Sequence, residues 1–314
     1  MASLLLSSLF PLVFVMTLGW LSGKLNYMQH HDASALATVV IRFALPLQLF
    51  IGALNTDPAK IKNLPFIAVL VIGLMGSYLL TLCISRLVFK HDVKTSALQS
   101  LVCSFPDMAY FGAPVLMVLI GPEGFLGVLI GNLITSLIMI PLTIVLLRMG
   151  DNQDSTMATG GVMATILPNV FKAVRNPIVW IPFLGVVMSL AGIKIPSVLY
   201  ASAEMMGKTA GGISLFALGL LFYGEHPAMN LHVFTNIGLK NLLQPALMAC
   251  AGLFFGLEHT LMQQVVIIGA TPSAVAAGMF AIRSDTYVDT ASSSILVGTA
   301  IGIITEGIMI FMIS

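Results

Sequence analysis

Charge is what this sequence has least of. Asp, Glu, Lys and Arg together supply 9% of its 314 residues, against about 25% in an ordinary soluble domain. So few charges cannot clothe a water-facing surface, so lipid is the solvent the chain is built for. Neither sign is in excess: the formal net charge is +1, which leaves no electrostatic footprint for nucleic acid. Cysteine is scarce too. Cys83, Cys103 and Cys250 lie in apolar runs and read as small core residues, with no disulfide framework. The histidines (His30, His31, His91, His226, His232 and His259) sit in or beside loops and lack metal-ligand spacing. No metal and no cofactor is expected. Also missing are the mid-membrane Ser–His or paired Asp of an intramembrane hydrolase, so an enzyme is not expected.

Apolar residues, by contrast, make up 58% of the chain, and the mean hydropathy is +1.00. A membrane-crossing helix needs about 20 such residues. Polar, Gly and Pro punctuation divides the chain into ten such spans, at about 4–23, 33–54, 64–89, 95–120, 124–148, 177–192, 197–222, 233–256, 260–282 and 288–313. The first run has neither the basic flank nor the small-residue cleavage site of a signal peptide and reads as a retained helix. The 19 methionines are filler of an apolar core. Loops after the odd-numbered spans hold Lys24, Arg86, Lys90, Lys94, Arg148, Lys172, Arg175 and Arg283. The opposite loops hold only Lys60, Lys62 and Lys194. Basic loops stay in the cytoplasm, which places both termini outside a cell inner (plasma) membrane. Lys240, near the cytoplasmic start of the eighth span, reads as a further marker of that side.

The halves resemble each other. Pro106 and Gly112 in the fourth span recur as Pro272 and Gly278 in the ninth, 166 residues on. Leu129-Ile130-Gly131 recurs as Leu296-Val297-Gly298 at 167, and Ala33-Ser34-Ala35 as Ala201-Ser202-Ala203 at 168. Five spans per half is odd, so the second half enters from the other side, an inverted repeat. The expected fold is an all-α membrane protein of ten transmembrane helices in two inverted five-helix repeats. Residues 1–150 form the first repeat, 151–176 a cytoplasmic linker with a short interfacial helix over Ile166–Val174, and 177–314 the second repeat.

Prolines in the middle of a helix remove a hydrogen bond and clash with the preceding turn. Pro106 and Pro272 therefore predict that helices 4 and 9 are broken and cross. Asp107 and Ser273 follow them as good N-caps. Each would start a half-helix whose positive end faces the crossing, and two such ends suit an anion.

The stretch Ser104–Pro114 resembles the crossover motif of the auxin efflux carrier family, in which a Leu-Pro-Asn turn precedes Gly-x-Pro. Phe43-Ala44-Leu45-Pro46, Leu215-Phe216-Ala217-Leu218-Gly219 and Lys240–Pro245 match that family in the same order. Without a long central hydrophilic loop, the chain is most similar to the compact bacterial branch, which includes malonate and malate permeases. The resemblance implies a fold like that of the sodium–bile acid symporters. Helices 1, 2, 6 and 7 would form a scaffold that makes a homodimer, and helices 3–5 and 8–10 a moving transport domain. It also implies a carboxylate substrate at the crossover, near Ser104, Asp107, Met108, Thr271 and Ser273. Asp107 stands where the family has a substrate-contacting Asn.

Asp107 has three readings: a bare N-cap, a proton- or cation-coupling site, or a direct substrate contact. Arg42, inside the second span, is either a fork for a carboxylate or a structural or snorkelled residue. Asn132 is either a substrate contact or an interhelical hydrogen bond, and Glu306 either a relay or a structural group. Lys208, near the outer start of the seventh span, reads as snorkelling. Gly207, Ala210, Gly211, Gly212 and Ser214 form a small-residue run that serves either a dimer contact or domain sliding. The expected function is secondary active transport of small organic anions, a dicarboxylate such as malonate or malate first, with H+ or Na+ coupling. The alternative is a potential-driven efflux carrier for a weak carboxylic acid.

Overall fold

Helix follows helix, and side-chain caps start three of them. The computed structural model describes residues 2–55, 63–151, 175, 177–224 and 227–313. The expected interfacial helix Ile166–Val174, most of the linker, Lys60, Lys62, Lys172 and His226 lie outside the described residues. In chain order the helices are α1 (Ala2–Lys24), α2 (His30–Val39), α3 (Leu45–Asn55), α4 (Leu64–Leu87), α5 (Val93–Ser104), α6 (Ala113–Leu119), α7 (Phe125–Ile134) and α8 (Ile140–Asp151). Then come α9 (Pro177–Leu190), α10 (Ser197–Phe222), α11 (Leu231–Gly238), α12 (Gln244–Phe254), α13 (His259–Ala270), α14 (Val275–Arg283) and α15 (Val288–Ile313). Asn63 caps α4 by accepting from the Phe66 N–H at 3.0 Å. Asn230 caps α11 through Val233 at 2.9 Å. Asp92 caps α5 through Lys94 and Thr95. Burial works to raise the pKa of Asp92, but hydrogen bonds from Thr95 and Lys94 outweigh it and hold the carboxyl below its ordinary range.

Four π-helical turns interrupt these runs: Val40–Ala44, Met108–Gly112, Thr135–Met139 and Leu239–Leu243. Each ends two residues before a proline, namely Pro46, Pro114, Pro141 and Pro245. The cause is local. A proline ring collides with the carbonyl four residues back, and widening that turn to an i→i−5 bond moves the carbonyl aside. The bonds Leu45 N to Val40 O, Ile140 N to Thr135 O and Gln244 N to Leu239 O are of this kind. α2 and α3 thus make one helical run, as do α7 with α8 and α11 with α12.

Among the described residues, five runs are long and apolar enough to cross a membrane: Leu64–Leu87, Pro122–Gly150, Ser197–Phe222, Leu231–Phe254 and Val288–Met312. Left-handed backbone marks the turns between helices. Asn26 and Gly192, Lys90 and Gly256, and Gly121 and Tyr287 all have positive φ, and each pair is separated by the 166 residues that separate Pro106 from Pro272.

Two packing groups result. In one, α1 lies on α10, and α9 and α10 lie on α3. The α1–α10 approach is so close that a Cβ at Gly19 would strike the Phe216 carbonyl, and one at Gly219 the Met16 carbonyl. In the other, α4 packs on α5 and α12, α5 on α8, α12 on α13, and α13 and α14 on α15. The small-residue run of α10 is divided: Gly212 is exposed, with open space where a Cβ would stand. Ala210 and Ser214 are buried, Gly207 meets Gln48 of α3, and Gly211 meets Pro114 of α6. Gly207, Ala210, Gly211 and Ser214 therefore pack inside the chain. The cysteines divide: Cys103 is buried, whereas Cys83 and Cys250 are exposed on apolar helices, which corrects their reading as core residues.

Candidate functional site

α5 stops at Ser104 and α13 at Ala270 because the next residues precede prolines, which push Phe105 and Thr271 out of the helical region. Phe105 has ψ 99° and Thr271 ψ 142°. The two extended segments lie across each other as an antiparallel bridge between Pro106 and Ser273. Asp107 N donates to the Pro272 carbonyl at 2.8 Å, and Ala274 N to the Phe105 carbonyl at 2.8 Å. Ser273 Oγ donates to the Val102 carbonyl at 2.7 Å. Each break thus satisfies backbone groups that the other exposes. Gly112 keeps the crossing tight, since a Cβ there would lie 3.1 Å from Thr271 Cγ2. Gly278 instead brings α14 close to α15, where a Cβ would lie 3.1 Å from Ile295 Cδ1.

The carbonyl ends of the two interrupted helices are both capped from the α11–α12 run. Gln244 Nε2 donates to the Ser104 carbonyl at 2.9 Å and to Ser77 Oγ at 3.0 Å. Lys240 Nζ donates to the Gly269 carbonyl at 2.8 Å and to the Thr271 carbonyl. Lys240 is only 1% exposed. It is therefore a buried group and not a loop charge at the cytoplasmic face. Glu306, Cys103 and Asp107 lie within electrostatic range of it. Glu306 is fully buried, and neither of its carboxylate oxygens has a hydrogen-bond partner.

The remaining candidate residues separate clearly. Asp107 and Met108 are buried at the crossing. The Asp107 carbonyl accepts from Phe111 and Gly112 at 3.2 and 2.9 Å. The hydroxyls of Ser104 and Thr271 donate to carbonyls of their own helices, Ser100 and Ile268. Ser273, expected as an N-cap, spends its proton across the crossing on Val102 instead. These three hydroxyls therefore offer lone pairs rather than protons. Asn132 differs. It is buried beside Gly131, whose Cα packs under Met108, and its Nδ2 has no hydrogen-bond partner. Arg42 stands outside this group: it is exposed, in the π turn Val40–Ala44, which favours its structural reading over a desolvated carboxylate fork. Lys208 pairs with Glu204 at 3.1 Å.

Sequence reasoning missed Lys240, Asn241 and Gln244 as site residues. The available signal was their spacing, one buried face of polar groups in an otherwise apolar run. Chemically, the side chains neutralise the negative ends of α5 and α13. Asp107 stands at the start of one continuing half-helix and Ser273 at the start of the other.

A family model described as membrane transport protein matches residues 4–310. The transporter YfdV of Escherichia coli K12, itself uncharacterized, is 25% identical over 99% of this chain and 98% of its own. An uncharacterized transporter of Methanothermobacter thermautotrophicus is 24% identical over 92% of this chain and 91% of its own. A probable auxin efflux carrier component 1d of Oryza sativa is 25% identical over 49% of this chain and 29% of its own.

Proposed function

The chain belongs to the membrane transport protein family, which includes the auxin efflux carriers, and from that premise we propose that it is a secondary transporter of small organic anions. A dicarboxylate such as malonate or malate is the first choice, carried by alternating access and coupled to H+ or Na+. The reading adopts ten spans in two inverted repeats and a homodimer held by the first packing group. The recurrence of left-handed turns at 166 residues supports the repeat.

The observation that carries the reading is the interlocked pair of breaks at Pro106 and Pro272 with its carbonyl ends capped. A carboxylate at the two positive half-helix ends meets preorganised N–H groups at low dielectric, where such contacts are strongest. Asn132 Nδ2 adds a donor. The buried charges at the crossing are Lys240, Asp107 and Glu306, one positive and two negative when all are ionised. An incoming anion worsens that balance, and a cation taken up with it restores it. An anion entering a negative-inside cell also opposes about 2.3 kcal/mol per charge per 100 mV, which coupling supplies. A cleft of about 430 Å³ lined by Gln48, Pro114, Met117, Lys208 and Gly211 runs between α6 and α10. It serves as the access route.

The second reading, a potential-driven efflux carrier for a weak carboxylic acid, draws on the auxin efflux carriers among the relatives. A binding panel of mono- and dicarboxylates on the purified protein separates the two. Tighter binding of malonate or malate than of aromatic monocarboxylates supports the first. The reverse order supports the second.

A further inference from the structure

The eighth-span π turn aims two side chains at different neighbours. Lys240 reaches the break of α13, where its ammonium takes the carbonyls of Gly269 and Thr271. Asn241 Nδ2 reaches the Gly298 carbonyl of α15 at 2.9 Å, leaving its Oδ1 buried without a partner. α15 closes the third side. A Cβ at Gly302 would lie 3.2 Å from Pro272 and 3.5 Å from Asn241 Nδ2. Glu306, one turn further along the same face, is buried with two unpartnered oxygens.

Together these groups are a set of hard oxygen donors: two backbone carbonyls at an unwound helix end, a carboxylate and an amide oxygen. Carbonyls freed where a membrane helix unwinds, backed by carboxylate, are the ligands of a bare monovalent cation. Here a primary ammonium on a chain-borne stem sits on those carbonyls instead. We propose that Lys240 is a tethered cation that fills a Na+-type site at the ninth-span break. The transporter therefore runs without Na+, and its mobile coupling ion is H+. The inference rests on the transporter reading for its consequence for coupling, but the site itself stands on the donor set.

The geometry makes a gain of function the sharpest test. Removing the ammonium leaves the carbonyls of Gly269 and Thr271 without their donor and Glu306 buried without a partner, and Na+ should enter. A ligand that binds only the native state raises its stability with concentration. The purified full chain is heated in NaCl or in choline chloride at equal ionic strength. The wild type and Lys240→Arg should unfold at the same temperature in both salts. Lys240→Ala should unfold at a lower temperature in choline and recover by several degrees as NaCl rises. Lys240→Ala/Glu306→Gln, which lacks the carboxylate, should not recover. A wild type stabilised by Na+ over choline overturns the proposal, as does a folded Lys240→Ala that is blind to Na+. If Lys240→Ala cannot be purified in either salt, the wild-type comparison decides alone. The readout needs no substrate, so failure of the anion reading in the binding panel and failure of the tethered cation are separate results.

Discussion

At the scale of the residue, the crossover turns on which groups still have a proton to give. Ser104, Thr271 and Ser273 donate to backbone carbonyls, so their part is to hold the breaks. Asn132 has an unpartnered buried amide. A hydrogen bond from such a donor to a charged group is worth about 1.5–3 kcal/mol. Asn132→Ala should therefore weaken substrate binding by about 10- to 100-fold at unchanged thermal stability, as measured by calorimetric titration. Unchanged affinity would return Asn132 to an interhelical role. Asp107→Asn gives the family's usual residue and mimics the protonated acid. It should keep substrate binding and exchange yet lose accumulation driven by a pH gradient, read in vesicles with and without the gradient. Accumulation with an unaltered pH profile would move the coupling role to Glu306. Asp107, Asn132 and Glu306 were legible as polar groups at membrane depth. The destination of Lys240 was not, because sequence gives the position of a charge along the chain and not the carbonyls it reaches. The Ser273 partner was equally hidden, since Val102 lies in the other half.

At the scale of the element, prolines do two jobs. Pro106 and Pro272 end helices, because the chain beyond each finds partners in the opposite break. Pro46, Pro114, Pro141 and Pro245 leave helices running and widen the turn before them. Helix bounds were readable to within a few residues: the seventh and tenth spans were expected at 197–222 and 288–313, and the helices run Ser197–Phe222 and Val288–Ile313. The π turns were not readable, since one extra residue in a turn leaves an all-apolar pattern unchanged. They matter because a π turn rotates the facing of every later side chain on its helix, and the Leu239–Leu243 turn carries Lys240 and Asn241. Pro245→Ala lets that turn tighten toward an α-helix. It should lower both transport and the unfolding temperature more than Pro141→Ala, whose turn carries no charged side chain. Equal behaviour of the two variants would deny the turn any part in aiming Lys240.

At the scale of the molecule, the 166-residue interval appears twice, once in sequence as the Pro and Gly pairs and once in backbone as the left-handed turns. One packing group holds α1–α3, α9 and α10, the other the crossover and its caps. Gly211 meets Pro114 of α6 where α10 faces the crossover half, while Gly207 packs on Gln48 inside the first group. Two packing groups, with the crossed breaks in one of them and a cleft beside α6, are the parts the proposed alternating-access carrier would use. The direct test is flux of labelled malonate and malate into proteoliposomes holding the purified protein. With the outside acidified and Na+ replaced by choline, a dicarboxylate should accumulate above its external concentration and collapse when a protonophore is added. If neither dicarboxylate accumulates under an inward H+ gradient or an inward Na+ gradient, while the same vesicles move a monocarboxylate down the membrane potential alone, coupled dicarboxylate transport is contradicted.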